Sequence, residues 1–145
     1  MGNVIGARVP GWFRLLSLLG LLWNALGVFM YLKSVGTFGD PLAGLDPAHQ
    51  ALARSVPAWV TGAFAVAVFA GLLGSLFMVA RKRLASPLLL LSAVTVAVQT
   101  VWITLFSNAF AVEGGMALLM PGLIMTIAVI LFLAAAKGAD RGWLD

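Results

Sequence analysis

The sequence predicts an all-α membrane protein, a bundle of four transmembrane helices with both ends on the cytoplasmic side. Three observations carry this reading: composition, apolar runs of spanning length, and an uneven distribution of basic residues. Of the 145 residues, 62% are hydrophobic and 10% charged. The mean hydropathy is +1.06, far from that of a water-soluble domain. Each span needs about 20 apolar residues. Four spans with short connections therefore take up nearly the whole chain as a single transmembrane domain, residues 1–145, and leave no soluble catalytic domain. Nothing alternates with the period of two that barrel strands require, and backbone amides in hydrocarbon must be paired within their own segment, so the spans are helices.

The first span runs from about Trp12 to Leu32. Arg8 followed by an apolar run has the look of a cleaved signal peptide, with Ser34-Val35-Gly36 as its small-x-small site. The run from Leu15 to Leu32 carries no charge and exceeds the roughly 7 to 15 residues of a signal core, so a retained signal-anchor helix is expected. The segment from Lys33 to Ser55 is the long outer loop, and within it Asp46-Pro47 reads as an N-cap followed by a first-turn proline. A short interfacial helix from Pro47 to Arg54 follows, with Ala48, Ala51 and Leu52 on one side. The second span runs from about Val56 to Ala80, Arg81-Lys82-Arg83 makes a tight inner turn, and the third span runs from about Pro87 to Phe106. Asn108 to Gly115 forms the second outer loop, and the fourth span runs from about Ala117 to Ala136. Pro121 either kinks that span or occupies its first turn.

Orientation follows from Lys and Arg. Arg8, Arg14, Arg81, Lys82, Arg83, Lys137 and Arg141 fall on one side, against Lys33 and Arg54 on the other, which places the richer side in the cytoplasm. Trp12 and Trp143 then lie at the inner interface, and Tyr31 and Trp59 at the outer one. The net charge of +4 serves topology rather than nucleic acid, because the basic residues sit at the ends of the apolar runs.

Several chemistries are excluded. The absence of Cys removes thiolate nucleophiles, thiolate metal sites and disulfides. No acidic residue falls within a span, so the membrane-embedded glutamate of small multidrug antiporters has no counterpart, and proton relays and voltage sensing lack their charges. His49, in the outer loop with Asp40, Asp46 and Glu113 as conceivable co-ligands, has no metal-ligand spacing and reads as a solvated loop residue. No metal, cofactor or catalytic site is expected, since no nucleophile, base and orienting group can be assembled.

Two patterns remain. In the second span Ala63, Ala67, Gly71 and Ser75 recur every fourth position, a seam along which another helix packs closely. In the first span Ser17, Gly20, Asn24, Gly27 and Tyr31 share a face, as do Ser92, Thr95, Gln99 and Trp102 in the third. Both spans run outward, and counting equal distances from Trp12 and Pro87 places Asn24 and Gln99 at similar depth near the bilayer centre. The simpler reading of this pair is an interhelical hydrogen bond of roughly 0.5 to 2 kcal/mol. The sharper one is a neutral-solute site, in which the flanking Trp23 and Trp102 supply flat rings beside the amides, a chemistry suited to a sugar or polyol.

The stretches LLWNALGVFMYL, PAWVTGAFAVAVFAGLLGS, RKR, MPGLIM and RGWLD resemble those of small four-helix bacterial inner-membrane proteins labelled sugar transporters. The likeness covers almost the entire chain. It implies a multi-pass protein of the bacterial inner membrane and raises the transport reading, but it brings no catalytic residues. The Pro-Gln signature of three-helix semi-SWEET carriers is absent. Two functions follow as expectations. One is a non-catalytic accessory or structural membrane subunit, which needs only the packing seam. The other is a carrier of a small neutral solute, which requires a homo-oligomer because four helices close around their own side chains. Either role sets the chain within the lipid bilayer, in a homo-oligomer or a larger membrane complex.

Overall fold

The computed structural model describes residues 7–145 and contains four helices long and apolar enough to cross a membrane. They are α1 (Gly11–Ser34), α3 (Ala58–Val79), α4 (Ala85–Phe106) and α6 (Met116–Asp140), joined on one side by two short helices, α2 (Pro47–Arg54) and α5 (Ala109–Glu113). Each spanning helix lies within a few residues of its predicted bounds. The short α2 begins as its sequence dictates, with the Asp46 carboxylate accepting from the backbone N–H groups of Ala48 at 2.9 Å and His49 at 3.1 Å. Pro47 fills the first turn, where no N–H is needed. The second outer connection is tighter than an irregular loop: α5 makes a single turn and ends at Gly114, whose φ of 60° opens the path into α6. Pro121 lies in the second turn of α6 rather than the first, so the carbonyl of Ala117 loses its helical donor while the helix continues.

The spanning helices are arranged as an open ring. α3 packs on both α1 and α4, and α4 packs on α6, whereas α1 and α6 touch sparingly. Small residues govern each close approach. Gly20 faces Ser75 and Leu131, Gly71 faces Asn24 and Ser92, and Gly27 faces Val68. Gly74 faces Leu89 in the same way, and the ring of Tyr31 meets that of Phe64 at 5.6 Å. Along α1 and α3 these pairs keep one antiparallel register, each step outward on α1 matched by an equal step on α3. The predicted seam is thus the line on which α3 receives its neighbours. Ala67, Gly71 and Ser75 are buried there, and Ala63, nearer the outer end, is half-buried.

The basic end is closed by the last residues of the chain. After α6, Gly142 adopts a φ of 70°, and the N–H of Trp143 donates to the carbonyl of Gly138 at 2.8 Å, a Schellman turn that sends the chain back under the bundle. α3 ends in the same motif, with Arg81 at a φ of 59° and the N–H of Lys82 donating to Phe77 at 2.7 Å. The two turns dock. The N–H of Asp145 donates to the carbonyl of Arg81 at 2.6 Å, and that of Arg83 donates to Asp145 at 2.8 Å. Arg81 Nε reaches the Trp143 carbonyl at 3.1 Å, and Arg83 Nε reaches that of Leu144 at 3.3 Å. Trp143 is therefore buried between Phe13, at 5.4 Å, and Trp12, at 5.7 Å, rather than lying free at the interface. Lys137 covers the Trp12 ring at 5.7 Å.

Candidate functional site

Above this sealed end, the open ring of helices encloses a cavity of about 560 Å³ lined by all four spanning helices, by Ala53 of α2 and by Val56 just after it. Its existence follows from the register of α1 and α6. These helices come together where Gly20 faces Leu131 and where Gly138 admits Phe13. Farther out, Leu26 and Met30 of α1 face Pro121 and Ile124 of α6 across the cavity instead of interlocking. A second hollow of about 470 Å³ lies between α1 and α6, and Trp23, Leu26, Ile127 and Leu131 line both. The cavity is thus blind toward the basic end and open sideways between α1 and α6.

Asn24, Gln99, Trp23 and Trp102 all line this cavity. The two amides, however, do not meet. Asn24 Nδ2 donates to Ser75 Oγ at 3.1 Å and to the carbonyl of Gly20 at 2.9 Å. Its Oδ1 rests against Gly71, so close that a Cβ there would collide with it. Gln99 Nε2 donates to the carbonyl of Val60, near the opposite end of α3, at 3.3 Å. At Asn24's level the polar residue of α4 is Ser92, whose Oγ would lie 3.0 Å from a Cβ on Gly71. Gln99 lies two turns, about 10 Å, farther out. The expectation of equal depth fails because the spans do not begin at one height. The α1–α3 register carries the start of α1 past Val79, roughly 7 Å beyond the inner end of α3.

Some of the cavity's polar groups are bonded within the protein and some are free. Besides the two amides, Ser92 Oγ donates to Ala67 at 2.7 Å, Thr100 Oγ1 to Val96 at 2.9 Å and Ser34 Oγ to Tyr31 at 2.7 Å, each to a carbonyl. The hydroxyl of Thr61 makes no hydrogen bond among the described residues, nor do Asn24 Oδ1, Gln99 Oε1 and the indole N–H groups of Trp23 and Trp102. No Asp, Glu, Lys, Arg or His lines the cavity. No known protein family, curated protein or solved structure matches this chain. The site is accordingly read from its geometry, as an uncharged and mainly apolar pocket with a few fixed polar atoms, of the size that holds a small molecule.

Outside the spans, His49 Nδ1 lies 2.6 Å from Asp46 Oδ2. The hydrogen bond from the His49 backbone N–H, with that from its ring, holds the Asp46 carboxyl below the usual aspartate range. The pair caps a helix, and no group of three or more metal-ligating side chains occurs among the described residues. The docked end Trp143–Asp145 escaped the sequence reading. Its one signal is Gly142 directly after Arg141, the C-cap of α6, the position where a C-terminal glycine reverses the chain.

Proposed function

We propose that this is a non-catalytic protein of the bacterial inner membrane that binds a small uncharged molecule in the pocket among its four spans. One observation carries the reading: a cavity of about 560 Å³, lined by every spanning helix and free of charged residues, that ends blindly above the docked chain end. Its volume lies within the roughly 300 to 1,000 Å³ typical of small-molecule sites. A binding subunit needs no more than this. A carrier, the second reading, is favoured by the resemblance to proteins labelled sugar transporters. It requires in addition that the Trp143–Asp145 segment withdraw from Arg81 and Arg83 to open a path to the other side. In the carrier role the protein works as a homo-oligomer or within a larger membrane complex, because four helices normally close around their own side chains.

The test uses the fluorescence of Trp23 and Trp102 in purified protein, titrated with a neutral bromine-bearing alkanol and, separately, with a water-soluble methyl glucoside. Saturable quenching by the alkanol that weakens in Ala128→Phe, whose ring takes up part of the cavity, is the expected result. Neither probe binding saturably would refute the pocket as a binding site. Saturable glucoside binding in the same pocket would favour the carrier.

A further inference from the structure

We infer that the occupant of the pocket is one acyl chain of a membrane lipid, admitted sideways between α1 and α6. This rests on the binding-pocket reading above and specifies its ligand class. The first argument is the state of the polar groups. Both hydrogens of Asn24 Nδ2 are committed, to Gly20 and Ser75, and Ser92 and Thr100 donate to helix carbonyls. A sugar would set several hydroxyls against a wall made mostly of Leu, Val, Ile, Met and Phe side chains, where the Thr61 hydroxyl, Asn24 Oδ1, Gln99 Oε1 and the indole N–H groups of Trp23 and Trp102 are the groups left to answer them, and each hydroxyl without a partner opposes binding. A hydrocarbon chain asks for no such partners. The donors of Asn24, Ser92 and Thr100 are turned toward the protein, which leaves most of the wall to an apolar guest.

The second argument is the route. The cavity and the neighbouring hollow share Trp23, Leu26, Ile127 and Leu131, so the two spaces join between α1 and α6. Leu26 and Ile124, on the two sides of the opening, are 48% and 37% exposed. Both belong to helices that span the bilayer, and the medium at the opening is therefore lipid chain rather than water. Below the opening, the contact of Gly20 with Leu131 stops the chain from passing through. A lipid tail can slide outward along α1 and α6 with its headgroup still at the surface, and no charged side chain must be desolvated for it to do so.

The experiment places the full-length protein in nanodiscs of phosphatidylcholine brominated in its acyl chains, with Trp12, Trp23, Trp59 and Trp143 changed to Phe so that Trp102 alone reports on the cavity. A cleavable linker joining Leu26→Cys to Ile127→Cys closes the opening, and the absence of native Cys makes that chemistry specific. Lipid occupancy predicts that Trp102 quenching falls in Ala128→Phe. It also predicts that quenching fails to develop when linked protein is transferred into brominated lipid, and recovers when the linker is cut. The linker test puts no ring into the cavity and compares linked with cut forms of one protein, so the inference stands or falls even if Ala128→Phe does not fold. If the bromoalkanol binds saturably while lipid quenching ignores both the ring and the linker, the acyl-chain assignment is wrong and the pocket survives. If neither the alkanol nor the lipid is sensed, both fail together.

Discussion

The position that most constrains this bundle is Gly71, where the absence of a side chain lets Asn24 of α1 and Ser92 of α4 reach the same point of α3. A Cβ at Gly71 would collide with Asn24 Oδ1 and lie 3.0 Å from Ser92 Oγ. Two helices would have to move to admit it. Gly71→Leu should therefore lower stability by about 1 to 3 kcal/mol or more, read as a fall in melting temperature in detergent. Leu72→Ala, at a half-buried neighbour, should cost less. Equal tolerance of the two changes would contradict the close approach. Asp46 is the residue with a pH signature. Its folded pKa is depressed by the hydrogen bond from the His49 backbone N–H and by the His49 ring. Its contribution to α2 is therefore complete above its ordinary value of about 3.9 and lost as pH falls through the lower folded value. The amide resonances of Ala48 and His49 should stay helical at pH 5 and shift in strong acid, and Asp46→Asn should remove that transition.

At the scale of elements, the sequence was most readable where one strong force decides. Hydrophobic runs set the four spans, and Asp46-Pro47 set the start of α2. The helix-to-helix register was less readable, because it depends on where each helix begins relative to the others. Asn24 and Gln99 share the polar faces predicted for them and line one cavity, yet they sit about two turns apart in depth. The predicted seam at Ala67, Gly71 and Ser75 marks a contact surface, but which helix meets each residue emerges only from packing. The docked end was harder still. It depends on two left-handed residues, of which Gly142 is a glycine and Arg81 is not. An arginine in that conformation carries a backbone cost of roughly 1 to 2 kcal/mol, offset here by the bonds linking Arg81 to Trp143 and Asp145. Gly142→Ala should loosen this clasp, since alanine at a φ of 70° is strained by a similar amount. The expected outcome is faster tryptic cleavage at Arg81–Arg83 in intact protein. Gly114→Ala, equally left-handed at a φ of 60° but at the other end, should leave that cleavage unchanged.

For the whole molecule, topology and packing make separable statements about the two ends. The ring of Phe13, near the start of α1, lies 5.4 Å from that of Trp143, after the end of α6. An even number of crossings and this contact both require the start of α1 and the end of α6 to share one side of the membrane. Which side is a matter of charge. The end holding Phe13 and Trp143 also carries Arg81, Lys82, Arg83, Lys137 and Arg141, whereas Lys33 and Arg54 stand at the other, so the basic asymmetry predicts that end in the cytoplasm. Reporter fusions after Asp145 and within the Lys33–Ser55 loop test which side the basic end faces and whether α3, α4 and α6 cross an odd number of times. The expected pattern is a cytoplasmic signal from the C-terminal fusion and a signal from across the membrane for the loop. The exchanged pattern would invert the protein while leaving the helix packing, the cavity and its lateral opening as described. Signals from the same side at both positions would mean that one of α3, α4 and α6 fails to cross as drawn. The register that brings Gly20 to Ser75 and Leu131 would then be wrong, and with it the floor of the pocket.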